Sequence, residues 1–571
     1  MNKIRTGLRA ALLAAAVCEA LFIMTGCTAA DRTGGAEAAR SEATVSEGVL
    51  PTASAMKRRV LPNGMTVFLY PRRDATGSLE ARLVVRAGSL QETEEERGLA
   101  HYVEHMAFNG TKNLPGKQMI EYLEKVGVKF GANLNAGTSW DMTSYMMKDV
   151  PTSREGIIDS ALLILHDWSH FIALQPEEID SERGVIMEEL RTRDNASWRS
   201  TMKMLQALGK GTKYEHRNLI GYLDGLKGFQ HKELEDFYNT WYRPDYQAVV
   251  IVGDIDVDAV ENKLKTLMSD IPAPAADAAQ KEVITVPDNE EPIVSIYTDP
   301  EMQGSRVQVF VKRPAVPEQY NNLVYGEMLD VVQAYMTTME NARLQEISMQ
   351  PDAPFLGAGM NSGSIGVIPT LEATTFVAMT QDGKLAQGFE ALYTEMEKVR
   401  RYGFTQGEFE RAQNDLMRRA ERSYTNRNDR RNAEFVQTYL DNYQQNTPMP
   451  DAETEWQLDS MLIRQYKDGH LRADALGLKA GSHTLKVVPV NGSSELPGAA
   501  EATVSVEAND RSGFGFVKGT SSGAYNEDGT LREDAVVVYV TNENKDTVTA
   551  SLNAEGKGNV TVTGVQAIIN A

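Results

Sequence analysis

Apolar and polar positions repeat with two different periods along this chain, and the changes of period delimit its elements. From 57 to 90 the period is two. RRVLPNGMTVFLYP holds an Asn-Gly turn between apolar runs, and LEARLVVRAGS alternates, so both stretches predict strands. The period lengthens at Leu99, Tyr102, Val103 and Met106, which share the sides of a helix, with Asn109-Gly110 as its stop. A second helix is predicted near 116–126. The stretch NLNAGTSWDMTSYMMKDV, 133–150, is strand-like. Ile157, Ile158, Ala161, Leu162, Leu165 and Trp168 then carry a helical period over 152–170, and QPEEIDSERGVIMEELRTR predicts a helix over about 175–195. Residues 229–255 read as an amphipathic helix, a turn at Pro244 and a strand ending at Gly253-Asp254. IPAPAADAAQKEVITVPDNEEP, 271–292, has the composition of a linker.

The same order of elements returns over 293–455. Strands VSIYT and RVQVFVKR are followed by a helix over 321–348, the strand EATTFVAMT, a helix near 386–400 and FTQGEFERAQNDLMRRAERS. Laid on the first half, Glu410-Arg411 falls on Glu182-Arg183, and Met417 falls on Glu189. The helix at 321–348 has no histidine, so the copy is predicted to hold no metal. From about 464 the pattern becomes short strands (HTLKVVPV, EATVSVEA, AVVVYVTNEN, DTVTASL, NVTVTGVQ) separated by Gly, Ser, Asn and Asp, which predicts a small all-β module. The fold class is therefore α+β: two repeated α/β sandwich domains, each a sheet covered by helices, at 57–275 and 285–458, then a β-rich module at 463–571.

Candidate chemistry is concentrated in HYVEH. On a helix His101, Glu104 and His105, at i, i+3 and i+4, face one space. Two imidazoles and a carboxylate are the beginnings of a catalytic zinc site: two neutral nitrogen ligands and a base for the attacking water. Two helical histidines can also simply pack, but the chain has only 8 histidines in 571 residues, so this spacing is unlikely by chance. The order HxxEH inverts the commoner HExxH. Glu177, Glu178, Glu182, Glu188 and Glu189 compete to be a third ligand. Glu182 and Glu189, seven apart, share a helix face, and Glu188 lies about 100° round from Glu189. A solvated acidic face is the plainer reading of such a helix. His166 and His170 also stand four apart, with no acid at 169, and read as surface or core residues.

The formal net charge of −21 argues against nucleic acid and against a basic grip on membranes. Both cysteines, Cys18 and Cys27, lie near the N-terminus, so no disulfide or thiolate site is available further on. Arg418, Arg419, Arg422, Arg427, Arg430 and Arg431, interspersed with Glu421 and Asp429, read as a solvated helix face. Lys3, Arg5 and Arg9, a mainly apolar run over 10–25 and Met24-Thr25-Gly26-Cys27 resemble a bacterial lipoprotein signal, 1–27, although Glu19 and Met24 depart from the usual pattern. Residues 28–56, rich in Ala, Ser, Thr, Gly and Glu, are a flexible tether. Cys27 is the expected lipidation site, and the expected location is the bacterial cell envelope, on the periplasmic or outer-membrane face. No other apolar run is long enough to span a bilayer.

GLAHYVEHMAFNGT at 98–111, NAGTS at 135–139, ERGVIMEELR at 182–191 and WYRPDYQAVVIVGDID resemble the pitrilysin family (insulysin, mitochondrial processing peptidase) of inverzincin metallopeptidases, most of all its long bacterial periplasmic zinc proteases. The resemblance covers residues 57 to about 455. It implies the pitrilysin-type repeated domain, zinc as cofactor with His101, His105 and Glu189 as ligands, Glu104 as general base, and Glu182 as a catalytic-site residue supporting a ligand. It also implies that the 133–138 segment, with Asn133, Asn135, Ala136 and Thr138, is the edge strand to which peptide substrates add. Family members close two double-domain halves around the peptide, and the second half supplies an Arg and a Tyr. Only the catalytic half is recognisable here. Arg313 and Tyr320, the one Arg–Tyr pair at seven residues past 290, straddle Pro314 and Pro317 and are not expected to be helical. Residues 463–571 resemble instead the β-module that precedes the β-helix in some bacterial pectate lyases.

The expected function is zinc-dependent hydrolysis of extended peptides, weak in the isolated chain and raised by a partner subunit of the same family that supplies Arg and Tyr. The alternative is a surface peptide- or glycan-binding protein with vestigial catalysis.

Overall fold

A computed structural model of the chain describes residues 49–465, apart from 74, 75 and 366, and the backbone of strand segments within 481–570. The signal at 1–27 with Cys27, the tether as far as residue 48 and most of the 463–571 module lie outside the described residues. Of that module, Gly481–Asn491 pairs antiparallel with Ala500–Val506 and parallel with Thr547–Asn553 in a small β-sheet. No helix among the described residues is long and apolar enough to cross a membrane.

The first domain is built on strands β1 (Lys57–Val60), β2 (Thr66–Pro71), β3 (Ser78–Val85), β4 (Leu134–Thr138), β5 (Thr143–Pro151) and β6 (Gln247–Gly253). They form one sheet in the order β1-β2-β6-β3-β5-β4, parallel only between β2 and β6. The continuous apolar run of β6 is explained by its central place, where every residue is buried. The strand-like 133–150 stretch is a hairpin, with Ser139 to Met142 between β4 and β5.

Helices α1 (Leu99–Met106), α2 (Gln118–Lys125), α3 (Ile157–His170), α4 (Pro176–Arg193) and α6 (His231–Trp241) fall at the predicted positions, whereas α5 (Ala196–Leu208) and α7 (Val257–Leu267) are two helices the sequence pattern did not predict. Residues two apart on the strands serve one face. Val67, Leu69, Ala81, Leu83, Val249 and Ile251 pack with Tyr102, Val103, Met106, Leu165, Trp168 and Phe237 of the helices. His166 and Asp167 are buried on α3; His166 Nε2 lies 2.8 Å from Asp270, and Asp167 accepts from Thr111 and Asn113. This network ties the loop after α1 to the domain's end.

The second domain contains β7 (Ser305–Pro314), α8 (Val324–Ser348), β8 (Gly357–Ile365), β9 (Ile368–Thr380), α9 (Leu385–Tyr402), α10 (Gln406–Thr425), α11 (Asn432–Gln445) and α12 (Ala452–Gln465). Its sheet has three strands, β7-β9-β8. The expected strand VSIYT is not one: 292–298 pairs with no strand, and Val294 and Ile296 are each 77% exposed. Arg313 lies on β7 and donates to Glu372, which removes it from any helical pairing with Tyr320.

The first sheet is covered by helices on both faces. Helix α11 leaves the second domain and lies against Phe68, Val84, Ala248, Val250 and Val252 through Val436, Tyr439, Leu440 and Tyr443. Phe68 and Tyr439 stack at 6.1 Å, and the Arg86 guanidinium sits 4.1 Å from the Tyr443 ring centre. A further apolar cluster joins Leu90, Trp140, Leu205 and Tyr214 of the first domain to Ile368, Leu371 and Ala373 of the second.

Candidate metal centre

Helix α1 begins where two glycines meet. Gly98 is its N-cap at φ +102°, and a Cβ there would come within 2.6 Å of the Ile220 carbonyl oxygen. Gly221 faces it in the same way, so the 218–223 loop is held against the helix start. The buried Glu92 accepts the Ala100 N–H at 3.0 Å, a carboxylate at the positive end of the helix. Burial pushes the Glu92 carboxyl up to about 8, against the Ala100 and Gly98 N–H groups. Arg217, itself buried, donates to the carbonyls of Glu92 and Thr93 and to Glu94. Tyr102 donates to the Ile179 carbonyl of α4, which joins the two site-bearing helices.

This scaffold brings His101, His105 and Glu189 together, with one ligand atom of each within 4.8 Å of the others. No other group of this kind occurs among the described residues. Glu189 stands between the rings: one oxygen is 3.6 Å from His101 Nε2 and the other 3.1 Å from His105 Nε2. Glu182 takes His105 Nδ1 at 2.8 Å and, with its other oxygen, accepts Asn109 Nδ2 at 2.6 Å. Lys117 in turn donates to Asn109. Glu104 Oε2 is 3.9 Å from His101 Nε2 and accepts the Thr138 hydroxyl at 2.7 Å. Arg193, one turn after Glu189, pairs with it at 2.8 Å. Glu188 is turned away and pairs with Arg191 on the exposed side.

The electrostatics follow from three carboxylates around two imidazoles. Burial disfavours a charged His105, but its hydrogen bonds to Glu182 and Glu189 outweigh this and push it up to about 9. The His101 and His105 imidazoles beside it hold Glu189 well below the usual carboxylate range. Burial works to raise Glu182, and the hydrogen bonds from His105 and Asn109 bring it below its ordinary value. The nest is therefore one that a cation satisfies. The residues fit zinc: two imidazole nitrogens and one carboxylate oxygen converge, and Glu182 fixes the His105 tautomer from the far side of the ring. His101 Nδ1 is buried without such a partner.

The other candidates fall on the β4 edge. Thr138 reaches Glu104; Ala136 and Thr138 are half-buried. Asn133 donates to Asp149 and Asn135 to the Gly131 carbonyl, both on the exposed side. The Ala136 N–H is taken by the Asn135 side chain at 2.9 Å. Asn109, Arg193, Glu92 and Arg217 are the supporting residues that sequence reasoning passed over. Arg193 follows Glu189 by four residues and was legible; Glu92 and Arg217, 125 residues apart, were not.

Comparison with known proteins places these domains. The family model for insulinase (peptidase family M16) matches residues 67–221, and that for the peptidase M16 inactive domain matches 228–416. The probable zinc protease PqqL of Escherichia coli (strain K12) is 28% identical over 407 residues, covering 71% of this chain and 43% of that protein. Its counterpart in Haemophilus influenzae is 30% identical over 355 residues, 61% of this chain and 37% of that protein. The chain thus spans less than half the length of these curated relatives. The crystal structure of the first half of the periplasmic protease PqqL from Escherichia coli superimposes with a TM-score of 0.66 at 27% identity, covering 73% of this chain and 88% of that one.

Proposed function

Since this chain belongs to the insulinase (peptidase M16) family through residues 67–416, we propose that it hydrolyses peptide bonds within extended peptides. It is a metallopeptidase, and its cofactor is zinc. The observation that carries the reading is the convergence of His101, His105 and Glu189 with Glu104 alongside. Zinc, when bound, supplies Lewis acidity toward the attacking water and the scissile carbonyl. Glu104 takes the proton released as the water attacks and returns it to the leaving nitrogen. Thr138 holds the Glu104 carboxylate, which ties the base to β4. Glu182 holds His105 through Nδ1 and leaves Nε2 for the metal.

Substrate is proposed to add as a strand along β4, the sheet's edge. The Ala136 carbonyl and the Thr138 backbone face the open side there, while the Ala136 N–H is held by Asn135, and Asn133 and Asn135 flank them. Among the described residues, no Arg or Tyr side chain besides Arg193 contacts the metal-binding carboxylates, and Arg193 is engaged by Glu189. Donors for the developing oxyanion are therefore proposed to come from a family partner subunit, and the chain alone to be slow. Location in the bacterial cell envelope, anchored through a lipidated Cys27, completes the proposal; an unchanged mass and membrane fraction in Cys27→Ser would overturn that part. The test of the activity is the purified chain with and without zinc. Glu104→Gln should keep one zinc per chain and lose about a hundred- to ten-thousandfold in cleavage rate. Full zinc in Glu189→Gln with loss in Glu188→Gln would reverse the ligand assignment.

A further inference from the structure

The two sheets of this chain share a plan but not a strand count. In the first, β3 pairs with β5 and β5 with β4, all antiparallel. In the second, β7 pairs with β9 and β9 with β8 in the same way. Beyond β3 the first sheet continues with β6, antiparallel, then β2 and β1. Beyond β7 no strand follows among the described residues. The residues that precede β7, in the positions of β1 and β2, form no strand, and Val283, Val294 and Ile296 are 76%, 77% and 77% exposed.

The open side of β7 is chemically defined. Ala315 N–H donates to the Thr370 carbonyl at 3.1 Å, which sets the phase of the β7–β9 ladder. With Arg313 opposite Glu372 and Val307 opposite Ala378, odd-numbered residues turn their backbone toward β9. Arg306, Gln308 and Phe310 turn theirs outward, and no backbone group among the described residues pairs with them. β7 is ten residues long, and Val307, Val309, Phe310 and Val311 are only half-buried. A long apolar edge of this kind templates the addition of another strand.

We propose that the open edge of β7 binds one β-strand of another polypeptide, an extended Val/Ile-rich segment with an acidic residue near each end, running antiparallel to β7. The chain's own β6 is the pattern for it. In DYQAVVIVGD, residues 245–254, the apolar centre is flanked by Asp245 and Asp254 and is buried throughout between β2 and β3. Arg306 at the start of β7, and Lys312 near its end, which also donates to the Pro287 carbonyl, make both ends of the strand positive, and this favours acids on the incoming strand. The same charges disfavour a second copy of β7, because pairing two copies about the strand centre sets Arg306 against Lys312.

Hydrogen exchange resolved to single amides tests this, on the Glu104→Gln form of residues 28–571 so that a peptide probe is not consumed. The probe is the decapeptide DYQAVVIVGD, with a scrambled peptide as control. In the free protein Arg306, Gln308 and Phe310 should exchange fast while Val307 and Val309 are protected. Saturating probe should slow the outward amides by about tenfold or more, a readout distinct from any binding at β4. Gln308→Pro removes one outward N–H and leaves the β9 ladder intact, so it should weaken binding by about tenfold. Outward amides already protected in the free chain would mean that the chain fills this edge itself. That result, no added protection, or equal protection by the scrambled peptide overturns the proposal.

Discussion

Glu182 illustrates how a residue governs a site it does not enter. It lies behind His105, holding Nδ1 at 2.8 Å, so it acts only by fixing the ring. Glu182→Ala should reduce zinc affinity by about 10–100-fold, measured by competition with a chelator, whereas Glu188→Gln should not change it. Equal losses in both variants would point to general charge rather than to this hydrogen bond. Thr138 acts in the same indirect way on Glu104, the proposed base. Thr138→Val keeps the strand and removes the hydroxyl that holds Glu104, so kcat should fall by about tenfold with zinc content unchanged.

Helix α8 carries an ionisable group with no role at the metal site. Glu340 is fully buried, and neither carboxylate oxygen has a hydrogen-bond partner. Burial, reinforced by Glu395 and opposed by Arg343, pushes its carboxyl up from 4.5 to about 8; Glu408 and Lys398 are the other charges facing it. A carboxyl whose folded pKa lies above its unfolded value binds its proton more tightly in the native state. Its contribution to stability is therefore greatest below the unfolded value of 4.5 and is lost as pH rises toward 8. Glu340→Gln should gain in Tm over the parent as pH rises through this window, while differing little at its lower end. A difference independent of pH would show that Glu340 titrates normally. Helix α11 makes the opposite kind of contribution. Tyr439 is buried between Phe68 and Tyr70 of the first sheet, and Tyr439→Ala should cost about 3–5 kcal/mol in chemical denaturation.

At the scale of the molecule, the two domains are not separable units. Because α11 covers the outer face of the first sheet, residues 49–275 alone would expose Phe68, Val84 and Val250. That fragment should aggregate or unfold at lower denaturant than residues 49–465, and equal stability would show the helix to be dispensable. Proposed catalysis also extends past one domain. Losing an oxyanion donor typically costs a hundred- to a thousandfold, roughly 2.7–4 kcal/mol. Residues 28–571 alone should therefore cleave a peptide mixture far below the usual median of about 10 per second. A rate near that median, abolished by Glu104→Gln, would show the chain to be self-sufficient.

The sequence by itself determined what depends on local spacing. Helix period and an i, i+3, i+4 pattern sufficed for His101, Glu104 and His105, and the seven-residue interval sufficed to put Glu182 and Glu189 on one face. Alternation placed β3, and apolar runs either side of an Asn-Gly turn placed β1 and β2; the burial of β6 on both sides came from its central place in the sheet. Tertiary structure decided whatever depends on partners distant in the chain. It brought Glu189 between the two imidazoles, 84 residues beyond His105. It put Arg217 behind Glu92, and it sent α11 across to the first sheet. It also denied VSIYT the neighbour its β-propensity called for. A strand's side-chain pattern is local, but the backbone hydrogen bonds that make it a strand belong to whatever chain lies beside it.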